Sequence, residues 1–183
     1  MKKYEVVIVG AGPAGSTAAK FIAEKGIKVL LIDKNTFPRD KPCGGGISMK
    51  MLKRFSYITD DLIETYSYGS NIHSSSLNYN VCIEKNEPFG AFVLRKKYDH
   101  ELIKLAINSG ASFLDGKRVV DYQKNQENAT ILLDDETKIN SQLVIGADGV
   151  WSTIAKKSGL APQNPSVGLC IVQETSLLKA VNI

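Results

Sequence analysis

Val6-Val7-Ile8-Val9-Gly10-Ala11-Gly12-Pro13-Ala14-Gly15, answered further on by Val29-Leu30-Leu31-Ile32-Asp33, governs the reading of the whole chain. Each of the two short runs is apolar at every position, as a strand is when both of its faces are covered. Between them Ala14, Ala18, Phe21 and Ile22 recur at helical spacing and predict one face of a helix, which Gly26 should end. Strand, glycine turn, helix and strand in that order predict a βαβ unit, and with it a parallel sheet with helices packed over it.

The turn itself carries chemistry. In a GxGxxG turn set between strand and helix, Gly10 permits the tight bend, Gly12 lets the backbone approach a pyrophosphate, and Gly15 lets helix and strand pack closely. The pyrophosphate would rest on the helix amino terminus, opened by Pro13 and Ala14, where N–H groups and the dipole favour anions. Asp33 ends the second strand and offers a carboxylate to ribose hydroxyls, with Lys34 beside it. This much suits FAD and NAD equally.

Outward from that unit, Asn35 to Ser48 is a loop with two prolines and three successive glycines. Residues 49 to 64 suit one irregular helix, and 65 to 95 short antiparallel strands with polar turns. Tyr98, Leu102, Leu105 and Ala106 mark a second amphipathic helix ending at Gly110. The segments around Val119-Val120, Ile131-Leu132-Leu133 and Lys138-Ile139, parted by Asn125 to Asn128 and Asp134 to Glu136, predict a three-stranded meander. Leu143-Val144-Ile145 returns as a buried strand, leading to Gly146-Ala147-Asp148-Gly149 and a short helix that Gly159 ends. Val167 to Leu178 alternates like a further strand.

Composition narrows the class. A chain of 183 residues, 43% hydrophobic and 23% charged, has the balance of a globular domain. Its net charge of +4 is scattered rather than gathered into a stripe, which argues against nucleic acid as a partner. No apolar run approaches the roughly 20 residues that cross a bilayer. Cys43, Cys82 and Cys170 are odd in number and in no metal-ligand spacing, so no metal is expected, and free thiols suit a reducing, cytoplasmic setting. His73 and His100 read as surface residues.

Four motifs together resemble a known family: Gly10 to Gly15; Phe37-Pro38-Arg39-Asp40-Lys41-Pro42-Cys43-Gly44-Gly45-Gly46-Ile47-Ser48; Leu94-Arg95-Lys96-Lys97-Tyr98-Asp99; and Gly146 to Gly149 followed by Ser152. They are similar to those of the geranylgeranyl reductases, a branch of the flavoproteins shaped like para-hydroxybenzoate hydroxylase, from residue 4 to about residue 160. The fold implied is α/β: a Rossmann-like FAD-binding domain of the glutathione-reductase type, with a central parallel sheet, a helix layer and the meander on the other side. Residues 1–160 would form that domain, with 65–95 a β-rich excursion, and 161–183 the start of a substrate domain cut short. In the family the Cys-Gly-Gly loop lies beside the isoalloxazine, so the resemblance assigns Cys43, Gly44 and Gly45 to the cofactor, and it sets an arginine, here Arg95, against the pyrophosphate. Asp148 and Gly149 form the second flavin fingerprint, in which Asp148 holds backbone donors or ribose.

The residues alone leave Cys43 open between a small packing residue and a proton donor, since only Lys41 and Arg39 lie near enough in sequence to lower a thiol pKa. Tyr98 and Asp99 read as structural, the acid favouring the helix dipole. The activity implied is reduction of carbon–carbon double bonds in a polyprenyl lipid or diphosphate by reduced FAD, recharged by NAD(P)H or another reductant, with peripheral membrane contact. A flavin monooxygenase or halogenase, and a non-catalytic nucleotide-binding module, stand as alternatives. A third flavin fingerprint expected beyond the substrate domain has no counterpart after Gly149. The chain alone should therefore hold FAD weakly, and the edge of Val167 to Leu178 should favour self-association.

Overall fold

The computed structural model describes residues 2–162, 166–168 and 170–172. In chain order the elements are β1 (Lys2–Val9), α1 (Pro13–Ala23), β2 (Val29–Ile32), β3 (Gly46–Ser48), α2 (Met49–Arg54), β4 (Thr65–Ser67), β5 (Gly69–His73), β6 (Asn80–Glu84), β7 (Gly90–Phe92), α3 (Arg95–Asn108), β8 (Ser112–Leu114), β9 (Val119–Lys124), β10 (Ala129–Leu133), β11 (Lys138–Gly146) and α4 (Thr153–Lys157). They fall into two units, Met1–Arg39 with Asp99–Val167, and Asp40–Tyr98 with Gly168–Ile183.

The first unit is built on a six-stranded sheet in the order β8-β2-β1-β11-β10-β9. The four strands from β8 to β11 run parallel, and β10 and β9 follow antiparallel. Alternate residues of β1 serve opposite cores. Val6 and Ile8 pack with Val29, Leu31, Ala19, Ala23, Ile103 and Ala106. Val7 and Val9 pack with Leu30, Ile32, Val119, Ile131, Leu133, Ile139 and Ile154. Two covered faces are why these strands are apolar throughout.

The meander does cover the second face, but it is not a detached layer. β11 is one strand of nine residues that pairs with β1 through Ile139 to Gly146 and with β10 through Lys138 to Ser141. The sequence reading gave Lys138-Ile139 to the meander and Leu143-Val144-Ile145 to a separate buried strand, since polar Asn140, Ser141 and Gln142 interrupt the apolar pattern. In the fold Asn140 accepts a hydrogen bond from the Thr130 hydroxyl at 2.8 Å, and Ser141 is buried. The hairpin turns fall where expected: the Asn125 side chain accepts from the N–H groups of Glu127 and Asn128, and Glu136 takes a positive φ of 65°.

The helices differ from expectation in detail. α1 buries Gly15, Ser16, Ala19 and Ala23, with Ala18 and Ile22 at the flank, while Ala14 and Phe21 face outward. The helix lies so close to the strands that only the smallest residues fit its contact stripe. α3 buries Tyr98, Leu102, Ile103 and Ala106, and leaves Leu105 half-buried.

The second unit holds two small sheets, β3-β7-β4 and β5-β6, all antiparallel as expected. The segment read as one irregular helix is instead α2, capped by the Ser48 hydroxyl, and a separate 3-10 turn at Asp60–Leu62. In the β5-β6 ribbon Ile72 lies opposite Val81 and Ser70 opposite Ile83, so one face is apolar, and it is exposed. Most of the strand expected at Val167 to Leu178 lies outside the described residues, and its described positions carry no strand. No helix among the described residues is long and apolar enough to cross a membrane.

Candidate functional site

Three glycines in the turn after β1 do different work. Gly10 has a φ of +102°, and a Cβ there would lie 2.2 Å from the carbonyl oxygen of Ala147. Conformation and space both demand glycine, because the turn is pressed between β2, where its N–H donates to the Ile32 carbonyl at 2.7 Å, and the end of β11. A Cβ on Gly15 would lie 1.8 Å from the Gly10 carbonyl oxygen. A Cβ on Gly12 would meet no atom within 4 Å. Gly12 is thus the glycine that packing does not require, and it caps α1 with no side-chain hydrogen bond and no acid in the first turn. The open backbone and unneutralised helix terminus fit a dinucleotide pyrophosphate.

Asp33 is tied into the same turn. Its carboxylate accepts from the Ala11 N–H at 2.7 Å and from the Asn35 N–H and side-chain amide at 2.8 and 3.0 Å. Before any ribose is present, then, this buried acid closes the glycine turn onto the end of β2; its two oxygens retain lone pairs for hydroxyl donors. Asp33→Ala is expected to lower the stability of the ligand-free chain by about 1 to 3 kcal/mol, because the Ala11 N–H loses its acceptor. Urea unfolding with and without FAD measures this, and an unmoved ligand-free midpoint would show that these bonds carry nothing. Lys34 and Ala14 are exposed and Pro13 half-buried beside this turn.

Asp148 serves backbone donors. It accepts from the Ser152 hydroxyl and from the N–H groups of Thr153 and Ile154 at 2.6 and 3.3 Å, while Ser152 caps α4 through the Ala155 N–H at 2.9 Å. Gly149 turns the chain with a φ of +85°.

In the second unit, Gly45 has a φ of +68°, and a Cβ there would lie 2.1 Å from the Val93 carbonyl oxygen. Gly44 has open space where its Cβ would be. Cys43 is exposed, and the Gly45 N–H donates to its sulfur at 3.4 Å. That hydrogen bond, then the Arg95 guanidinium at the start of α3, and more weakly Lys41, hold the thiol below its ordinary pKa, while partial burial opposes them. Arg39, expected from sequence to act on this thiol, is not among these groups. It pairs with Asp99 at 3.0 Å; Asp99 is buried, and most of the Arg39 guanidinium is buried with it. Asp99 therefore answers a buried guanidinium rather than the helix dipole. Sequence reasoning missed this pair because nothing local links the two residues. His73 is exposed and His100 half-buried.

The family model described as FAD binding domain matches residues 3–173. The chain belongs to that family. FAD is accordingly the cofactor, and the resemblance to geranylgeranyl reductases holds among the relatives of this FAD binding domain. It is 34% identical over 174 residues to digeranylgeranylglycerophospholipid reductase 1 of Methanosphaera stadtmanae, covering 90% of this chain and 43% of that protein. It is 32% identical over 162 residues to menaquinone reductase of Mycobacterium tuberculosis, covering 85% of this chain and 40% of that one. The crystal structure of a geranylgeranyl bacteriochlorophyll reductase-like protein from Thermoplasma acidophilum superposes with a TM-score of 0.78 at 27% identity, over 87% of this chain and 43% of that one. The chain thus spans about two fifths of the length of the curated relatives it matches.

Proposed function

We propose that this FAD binding domain serves an enzyme that reduces carbon–carbon double bonds of a polyprenyl lipid. The observation that carries the cofactor placement is the open Gly12 between two glycines that packing closes. Gly10, Gly12 and Gly15, with Pro13 and Ala14, seat the pyrophosphate on α1. Asp33, beside Lys34, takes the ribose while holding the turn shut. Asp148 and Gly149 support the turn by fixing α4 and the end of β11. Arg95 supplies positive charge, and Gly44 and Gly45 keep the loop bare for the flat ring.

Reduced FAD supplies the hydride for one alkene carbon. Cys43, its proton loosened by Gly45 and Arg95, is the proton donor proposed for the other. The prenyl substrate is supported by the relatives' activities and by the exposed apolar face of the β5-β6 ribbon. Residues 1–160 form the cofactor domain in this reading, residues 161–183 begin the substrate domain, and NAD(P)H or another reductant recharges the flavin at a membrane surface.

The test is to supply the protein that carries this chain with reduced FAD and a digeranylgeranyl phospholipid. The flavin should be oxidised without oxygen, with each saturated bond adding the mass of two hydrogens to the lipid. Flavin oxidation that requires oxygen and leaves the lipid mass unchanged would overturn the reading.

A further inference from the structure

The loop after β2 runs antiparallel to the segment leading into α3, and contacts between the two continue beyond their sheet. Ser48, Ile47 and Gly46 pair with Gly90, Ala91 and Phe92. Gly45 then accepts from the Val93 N–H at 3.0 Å, Cys43 faces Arg95, and Asp40 lies 3.6 Å from Lys96. Continuing in the same order, Arg39 meets Asp99.

These last two rungs are physically unlike. Asp40 and Lys96 stand in water, with side chains 84% and 56% exposed, where an ion pair contributes little. The side chains of Arg39 and Asp99 are 12% and 0% exposed. Arg39 also stacks over Phe37, with its guanidinium 4.9 Å from the ring centre, and Phe37 is itself set edge-on to Phe113 and donates its N–H to Asp115 at 3.3 Å. Nε and Nη1 of Arg39 are buried without a hydrogen-bond partner among the described residues. A buried pair with unmet donors is a poor device for stability alone. What it fixes is place, because Arg39 stands four residues before Cys43 and Asp99 four residues after Arg95.

We infer that Arg39 and Asp99 are a positioning pair, whose buried bond keeps the cysteine loop in register with α3 so that Cys43 and Arg95 face each other. The value of this to catalysis rests on the proposed function; the geometry does not. Arg95 and Asp99 stand one turn apart on α3, so a bond at Asp99 fixes the face on which Arg95 lies. The groups acting on Cys43 are Arg95 from α3 and Lys41 and the Gly45 N–H from its own loop. If the clamp is lost, the loop slips and Arg95 is withdrawn from the sulfur.

The experiment measures the rate of Cys43 alkylation by iodoacetamide against pH, in the 183-residue chain with Cys82 and Cys170 replaced by serine. Arg95→Gln provides the benchmark and should move the midpoint upward. Arg39→Lys keeps the charge but loses the flat guanidinium that stacks over Phe37 and places the bond to Asp99, and should move it upward as well. The double variant Arg39→Met with Asp99→Leu removes both buried charges together, which favours retention of the fold, and should match Arg95→Gln. Ile131→Val, a core change in the meander, should leave the midpoint where it was. An unmoved midpoint in folded Arg39→Lys overturns the inference whatever its stability, and that variant decides the matter if the double one does not fold. No flavin enters the measurement, so its failure leaves the cofactor placement standing, and failure of the flavin titrations leaves this inference standing.

Discussion

Replacing Gly15 by alanine will strongly destabilise the first unit. The new methyl carbon would lie 1.8 Å from the Gly10 carbonyl oxygen and 3.3 Å from the Ala147 side chain. The first of these is backbone, in a turn that cannot yield. Gly10 donates to Ile32, Ala147 donates to Val9 at 2.7 Å, and Ala11 donates to Asp33, so the turn is bonded to β2 and to β1. Relief requires α1 to lift off the sheet, which uncovers Val6, Ile8, Val29 and Leu31. Overpacking of well-filled sites typically removes about 1 to 3 kcal/mol, and the rigid backbone of Gly10 places this change at or above the upper end. For a domain whose whole stability is about 5 to 15 kcal/mol, that is a large share. Urea unfolding followed by circular dichroism reads it directly. A midpoint within the range of ordinary surface substitutions would mean that α1 is not held where the structure has it.

Gly12→Val should do the reverse, sharply weakening flavin binding in a chain that still folds. A side chain at Gly12 meets no protein atom, and its backbone, with φ −72° and ψ −178°, is extended and open to any residue. Valine is a poorer helix cap than glycine, which lowers stability by no more than about 1 kcal/mol. Its methyl groups would, however, occupy the space from which a pyrophosphate reaches the α1 amino terminus. Losing two charge-assisted hydrogen bonds there weakens FAD by about a hundredfold or more. Flavin fluorescence titrated with the wild-type and variant proteins measures the loss, and the unfolding midpoint measured alongside shows that the fold remains. Equal FAD affinity in the two proteins would remove the pyrophosphate from this turn. Gly12 and Gly15 are only one turn apart, and the opposite outcomes expected of them separate a glycine that a ligand needs from one that packing needs.

The βαβ unit, the antiparallel excursion, the meander and the short last helix were all legible in the sequence, and so was the family. These features rest on local chemistry. A strand covered on both faces shows as an unbroken apolar run, turns show as Asn, Asp and Gly at fixed offsets, and a phosphate-binding turn needs its glycines at fixed spacing. The exposed face of α1 was misread because the usual rule gives the core the larger apolar residues, whereas here closeness reserves the contact for Gly15, Ala19 and Ala23. The polar middle of β11 was misread because Ser141 and Asn140 find their surroundings in β1 and β10, which are distant in sequence.

The sequence by itself determined that this protein has a dinucleotide turn after its first strand, and it named the residues that could serve a flavin. Only the tertiary structure decided what each of them does. It distinguished Gly12 from Gly10 and Gly15, gave Asp33 a second task in closing the turn, set Asp148 to capping α4, and exchanged Arg39 for Arg95 beside Cys43. The reason is physical. A residue's type and its near neighbours fix the bonds it is able to make, but burial and the approach of remote backbone fix which of those bonds it makes.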